Sequence, residues 1–160
     1  MTHLTRTILA SALLAAALAF TAPAALRAAG IEPLATRPSP HDVPTTVQRL
    51  QQAVTARGAK VVATVDHAAA AKAEGLSLRP TVLVIFGNPK LGTPLMQSGQ
   101  TAGLDLPLRV LVWEDAAGGT QIGYLPPALL AARHGIADRT GVVETMTAAL
   151  AAIADEAAAR

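Results

Sequence analysis

The sequence predicts an α+β domain of two layers, in which a mostly antiparallel sheet is backed by helices. The first observation is a set of short apolar runs rich in β-branched residues, such as "TVLVIF" at 81–86, which predict strands. The second is the order "LRVLVWED" at 108–115, "AAGG" and "TQIGY" at 120–124, which is typical of an antiparallel hairpin. The third is that segments with helical spacing of apolar residues separate these runs.

The clearest predicted helix follows Asp42. Apolar residues recur at spacings of four, three and four between 43 and 54, which places them on one helical face. Asp42 suits the N-cap, Pro44 suits the first turn, and Gly58 suits the position after the last turn. We therefore expect the first helix to lie between Asp42 and Gly58.

The other elements follow from similar signals. The β-branched run "AKVVATVDH" at 59–67 predicts a strand, and the Ala-rich stretch at 68–75 predicts a short helix. Proline at a helix entrance predicts a helix over 126–135, and apolar residues at helical spacing predict another after Thr140. Between 91 and 107, short helical turns alternate with glycine and proline breakers.

The N-terminal residues predict export. Arg6 lies in a short leading segment without acids, an apolar run extends over 8–20, and small residues occupy Ala22 and Ala24. This order of basic, apolar and small residues is typical of a secretory signal peptide. The apolar run is shorter than the roughly 20 residues that span a bilayer. We therefore expect a cleaved signal peptide at 1–24.

The domain organisation follows from that cleavage. Residues 25–41 are Pro-rich and irregular, and they predict a linker that includes a short first strand near 34–37. Residues 42–160 then form a single domain. We expect the mature protein to be periplasmic or secreted, with no membrane attachment after cleavage.

Composition excludes several classes of function. The chain has no cysteine, which excludes disulfides, thiolate metal sites and covalent c-type haem. The formal net charge of +2 falls to +1 when Arg6 is removed, and no basic stripe with interleaved aromatic residues is present, so nucleic acid is not expected as a partner. Without disulfides, the domain depends on packing alone or on a second subunit.

The stretch "GNPKLGT" has the glycine spacing of a phosphate-binding P-loop but lacks its chemistry. That loop needs a lysine directly after the second glycine, whereas Lys90 lies between Gly87 and Gly92. The stretch is better interpreted as a turn in which Asn88 bonds its own backbone and Pro89 keeps the preceding residue extended. Lys90 remains a candidate donor into a cleft.

Two histidines are candidates for chemistry, each with a structural alternative. His67, next to Asp66 at a predicted strand end, has a pKa range suited to a general base, and it is also a candidate ligand for a metal or haem. Its structural alternative is a cap for the helix that follows. His134 lies beside a predicted helix end, where the helix dipole favours a protonated histidine. No histidine pair has the spacing of a zinc site, so no metal is expected.

Asp105 is an acid between leucines, in "GLDLPL", and such a residue requires a partner when it is buried. Lys90 and Arg109 are the two candidate partners. A contact between Lys90 and Asp105 has two interpretations: a tuned pair in an active site, or a structural clasp between two loops.

Several motifs together resemble a bacterial family. "FGNPKLGTPLM", "GLDLPLRVLVWED" and "IGYLPPALLAARHG" are similar to the domain of unknown function 302 family, and the similarity covers about 61–134. Upstream, Asp66 and His67 stand in the "DH" position of that family. The resemblance implies a two-layer fold of the TATA-binding-protein-like type that is often dimeric, and no common activity is established for the family. Leu125 departs from the pattern, because members commonly carry Asn after the equivalent of Tyr124.

The leading hypothesis for function is a non-enzymatic module that binds a small molecule or a cofactor such as haem. The alternatives are an enzyme in which His67 acts as general base with Lys90 and Asp105, and a purely structural homodimer. The candidate ligand-binding residues are Asp66, His67, Asn88, Lys90, Asp105 and His134.

Overall fold

The computed structural model describes residues 34–160, which belong to one compact unit. The predicted signal peptide at 1–24 lies outside these residues. The elements are β1 Ala35–Ser39, α1 Val43–Ala56, β2 Lys60–Asp66, α2 His67–Ala73, β3 Thr81–Gly87, α3 Pro89–Ser98, a 3₁₀ turn Gln100–Leu104, β4 Leu108–Glu114, β5 Thr120–Tyr124, α4 Pro127–Arg133 and α5 Thr140–Ala158.

The five strands form one antiparallel sheet in the order β1-β5-β4-β3-β2. Helices α1 and α5 pack on one face of this sheet and against each other. The predicted α+β class with a mostly antiparallel sheet is therefore confirmed. The short first strand expected near 34–37 forms the edge strand β1, which pairs with β5.

The main core lies between the sheet and these two helices. Every second residue of the strands points into it, as the period of two of a half-buried strand requires. The buried members from the strands are Val84, Phe86, Val110, Val112 and Ile122, and those from the helices include Leu50, Val54, Leu150 and Ile153. A smaller cluster, built on Leu95, Ala102, Leu130, Ala131, Ile136 and Met146, joins α3, the 3₁₀ turn and α4 to α5.

The opposite side of the sheet, here called the open face, is partly exposed. The strand register places Leu83, Ile85, Leu111 and Trp113 there, together with Gly123. The four large side chains are half-buried, in contrast to the fully buried residues of the core face.

Side-chain caps fix the beginnings of three helices. Asp42, Asp66 and Asn88 each accept a hydrogen bond from a backbone N–H of the first turn, at 2.8–3.0 Å. The stretch interpreted as a turn therefore opens a helix, since α3 begins at Pro89 directly after the Asn88 cap. Pro94 lies inside α3 and interrupts its hydrogen-bonding pattern, which explains why the sequence signal for this helix is weak.

Candidate functional site

A cleft of about 540 Å³ opens on the open face, at the end of the sheet where β4 begins and β5 ends. The 3₁₀ turn and the end of α4 contribute to its walls. The lining is mainly aliphatic, with one acid and two bases among the residues Leu34, Leu83, Leu104, Asp105, Leu108, Arg109, Leu111, Gly123, Tyr124, Leu125, Leu130 and Arg133.

Asp105 is the centre of a polar cluster at this cleft. Its carboxylate accepts from Arg109 Nη2 at 3.0 Å, from Arg133 Nη1 at 3.1 Å, and it lies 2.8 Å from His134 Nε2. The side chains of Asp105 and His134 are only 11% and 6% exposed, whereas those of the two arginines are 45% and 46% exposed. The cluster is therefore buried at its carboxylate and open to solvent at its guanidinium groups.

Local structure brings these side chains together from two segments. Asp105 follows the 3₁₀ turn, and the cis peptide bond Leu106–Pro107 leads into β4, where Arg109 is the second residue. Arg133 ends α4, and His134 is its C-cap, with a backbone N–H that donates to the Leu130 carbonyl. The His134 ring is held from its other side, because Nδ1 lies 2.9 Å from the Thr101 hydroxyl.

Electrostatics keep Asp105 ionised. Burial raises the pKa of its carboxyl, but the hydrogen bond with His134 and the charge and hydrogen bond of Arg133 outweigh burial, so that the pKa lies below its ordinary value of 3.8. At neutral pH the cluster therefore holds one carboxylate against two guanidinium groups.

The bonds within the cluster restrict its chemistry. Both ring nitrogens of His134 are engaged, one with Asp105 and one with Thr101, so a haem or metal ligand role for His134 requires those bonds to break. Asp105, His134 and the Thr101 hydroxyl follow the order of the acid, the base and the nucleophile in a catalytic triad. However, two guanidinium groups on the same carboxylate oppose the imidazolium that such a triad forms.

Within residues 34–160, no three histidine, aspartate or glutamate side chains lie close enough together to hold a metal ion.

The two loops singled out in the sequence meet at the cleft's end of the sheet. A Cβ placed on Gly87, the last residue of β3, would lie 3.3 Å from the Pro107 side chain, so the end of β3 lies against the segment that leads from Asp105 into β4. Of the two candidate partners of Asp105, Arg109 makes the contact. The Lys90 ammonium is exposed and forms no ion pair with any residue in the range 34–160.

Asp66 and His67 lie at the other end of the sheet. Asp66 is paired with Val82, whereas Leu108, which follows Asp105, is paired with Phe86 on the same strand. Four residues of strand separate the two positions by about 13 Å. The structure therefore does not bring His67 together with Asp105, and the Asp66 carboxylate instead caps α2 by accepting from the Ala69 N–H.

Sequence reasoning did not single out Arg133 and Thr101. A basic residue in the last turn of a helix is common because it complements the helix dipole, so Arg133 carried no signal of a site. Thr101 lies in a 3₁₀ turn, and its pairing with His134 spans 33 positions of the chain. Only the tertiary fold identifies it.

This chain resembles both curated proteins and a protein of known structure. The curated relatives include the proteins named fluoride-specific ion channel FluC 1 of Brucella suis and fluoride-specific ion channel FluC 2 of Brucella melitensis, each 48% identical over 103 residues. The match covers 64% of this chain but only 41% and 38% of those proteins, so the chain spans about two fifths of the relatives' length. In residues 34–160, no helix combines the length and the apolar character needed to cross a membrane.

The fold has a solved counterpart. The crystal structure of an uncharacterized conserved DUF302 protein from Bacillus stearothermophilus superimposes with a TM-score of 0.72 at 20% identity, covering 80% of this chain and 99% of that one. A family model described as "Domain of unknown function DUF302" matches residues 35–153, which include every strand of the sheet and the whole polar cluster. The chain therefore belongs to the DUF302 family.

Proposed function

We propose that this protein is an exported, non-enzymatic module that binds a small molecule in the cleft beside Asp105. The observation that carries the proposal is the cleft itself, of about 540 Å³, with a mainly leucine lining and a single polar cluster. A concave apolar site with a few converging polar groups is typical of small-molecule binding. Export is supported by the signal-peptide pattern at 1–24.

Binding is favoured over catalysis by the state of the polar groups. The carboxylate of Asp105 and both nitrogens of His134 already have partners within the cluster. A general base instead needs a nitrogen or oxygen that reaches the substrate. The cluster is therefore suited to orient and hold a ligand.

The experiment is native mass spectrometry of the protein purified from an exporting host, together with two variants. Leu104→Gln alters a cleft residue that is 79% exposed, and Leu76→Gln alters a residue that is 68% exposed and does not line the cleft. Neither change should unfold the domain, because both side chains are already largely in solvent. We expect a mature chain that begins at Ala25, and a bound adduct or uptake of offered ligand that Leu104→Gln reduces and Leu76→Gln leaves unchanged.

Either of two results would overturn this proposal. The first is equal occupancy in both variants. The second is a wild-type protein that carries nothing and takes up none of the offered octanoate, 1-octanol and haem.

The names of the curated relatives make fluoride a second candidate ligand, since Arg109 and Arg133 place two cationic groups at the cleft. Sodium fluoride titrated with the protein should then show a broadened ¹⁹F NMR line. Broadening that Arg109→Gln abolishes supports fluoride, and an unchanged line with the wild-type protein excludes it.

We also propose that the protein is a homodimer that uses the part of the open face beyond the cleft. By register, this face carries Ile85 and Trp113 beyond the cleft and Leu83 and Leu111 at the cleft. Its charged residues are Arg109, which is paired with Asp105, and Lys60, at the beginning of β2. An apolar face with little charge is compatible with a second copy of itself.

A further inference from the structure

We propose that the ligand of the cleft is an amphipathic anion, namely a small carboxylic acid with an apolar body, whose carboxylate binds the guanidinium of Arg109. This inference rests on the proposed small-molecule function and specifies the class of ligand. It combines the charge of the polar cluster, the bonding of Arg109 and the character of the cleft walls.

The charge of the cleft favours an anion. Arg109 and Arg133 share the single carboxylate of Asp105, and the cleft lining contains no other acid within residues 34–160. The guanidinium of Arg109, which is 45% exposed, is therefore not matched by a carboxylate of its own among these residues. A ligand carboxylate would supply one.

Arg109 has donors to offer such a ligand. Its guanidinium has five N–H donors, and both of its hydrogen bonds to other residues, with Asp105 and with the Leu104 carbonyl, use Nη2. Within residues 34–160, Nε and Nη1 of Arg109 donate to no other group. Carboxylates pair with arginine through two parallel hydrogen bonds, which requires two such donors on one side chain.

The remaining walls favour an apolar body. Seven leucines line the cleft, and Tyr124 and Gly123 complete it. Burying each methylene group of a ligand against such walls contributes about 0.8 kcal/mol. A chain or ring of about six to eight carbons would therefore bind through its apolar body while Arg109 holds its carboxylate.

Asp105 acts as an internal counterion in this arrangement. Its carboxylate occupies donors of both arginines and reduces the positive potential felt by a ligand. Neutralising Asp105 should therefore strengthen the binding of an anion. If the ion-pair cluster were purely structural, this substitution would not raise the affinity for an anion.

Isothermal titration calorimetry with matched pairs of acids and alcohols tests the inference. The probes are octanoate against 1-octanol and 3-phenylpropionate against 3-phenylpropanol. We expect at least one of the acids to bind at least about tenfold more tightly than its alcohol, as for a charge-assisted hydrogen bond. Arg109→Gln should weaken binding of the acid by about tenfold and leave the alcohol unchanged, and Asp105→Asn should strengthen binding of the acid.

Arg79→Gln is the matched control. Arg79 is exposed and donates to the Glu114 carbonyl at the other end of β4, away from the cleft. This variant should bind the acids as the wild-type protein does.

The outcomes separate this inference from the broader proposal. Equal affinity for acids and alcohols, combined with weaker binding by Leu104→Gln, overturns the anionic ligand and leaves the cleft as a binding site. No binding of any of the four probes overturns both. A loss of acid binding in Arg79→Gln equal to that in Arg109→Gln also overturns the anionic site, because it indicates a general effect of surface charge.

Discussion

At the scale of single residues, Asp105 organises the site. Its position between leucines indicated a buried acid in need of a partner, and Arg109 was one of the two partners expected from sequence. His134 was a candidate residue from the sequence, but its pairing with Asp105 and the contribution of Arg133 were not predictable, because these contacts span 29 and 28 positions of the chain. Long-range pairing of this kind depends on how α4 packs beside the 3₁₀ turn.

Asp105→Asn should lower the free energy of unfolding at pH 7 by about 1.5–3 kcal/mol, since it removes hydrogen bonds from charged groups to a buried carboxylate. The pKa of Asp105 is lowered in the folded protein, so its stabilisation is complete above the ordinary value of 3.8 and is lost as the pH falls through the lower, folded value. The difference between wild type and variant in urea unfolding should therefore shrink below pH 3.8.

Asp155→Asn provides the comparison for that measurement. Asp155 is 55% exposed in its ion pair with Arg37, and such pairs contribute about 0–1 kcal/mol. An Asp105 variant that loses no more stability than this one, or an equal loss at pH 7 and at pH 3, would contradict the role assigned to Asp105.

Gly123 is the second residue whose identity is required by its neighbours. A Cβ at this position would lie 2.8 Å from Cζ3 of Trp113, so the indole ring would have to move. Gly123→Ala should lower the free energy of unfolding by about 1–3 kcal/mol through overpacking and change the fluorescence of Trp113, the single tryptophan. Gly141→Ala, in α5 with open space around it, should instead be neutral or stabilising.

At the scale of elements, strands and caps were the predictable features. The runs at 81–86 and 108–115 and the cap at Asp42 lie where sequence placed them, because periodicity and capping are local properties. Helix α3 was harder to predict, since Pro94 within it is a residue that usually ends a helix. The same local chemistry accounts for Asp66, whose carboxylate caps α2.

Asp66→Ala should lower the free energy of unfolding by about 1 kcal/mol, the usual effect of removing an N-cap. Because Asp66 lies at the end of the sheet away from the cleft, octanoate affinity should stay within about twofold of wild type, well under the roughly tenfold effect of losing one charge-assisted bond. Urea unfolding and calorimetry measure the two quantities. A loss of affinity comparable to that of Arg109→Gln would place Asp66 in the binding site and contradict this assignment.

At the scale of the whole molecule, the sheet has one covered and one open face. The fold class was predictable from the order of helices and strands, but the sequence alone did not show which strand residues face outward or that a cleft forms there. Both properties depend on the strand order and register. The part of the open face beyond the cleft is the surface proposed for dimerisation.

Ile85→Lys should dissociate the dimer, because it places a charge in the middle of the open face without altering a residue of the cleft. Sedimentation velocity should show the variant as a monomer at concentrations where the wild type is a dimer. Leu76→Lys, at an exposed position outside the sheet, is the control and should sediment like the wild type. A wild-type protein that is already monomeric would contradict the dimer.

We propose that the ligand binds in the cleft beside Asp105, and ¹⁵N NMR of the protein titrated with octanoate reports where it binds. We predict that the largest shifts in amide resonances occur at Leu104, Asp105, Arg109, Leu125 and Arg133, which line the cleft. Shifts concentrated at Asp66 and His67, at the other end of the sheet, would contradict binding in the cleft, as would a spectrum that octanoate leaves unchanged.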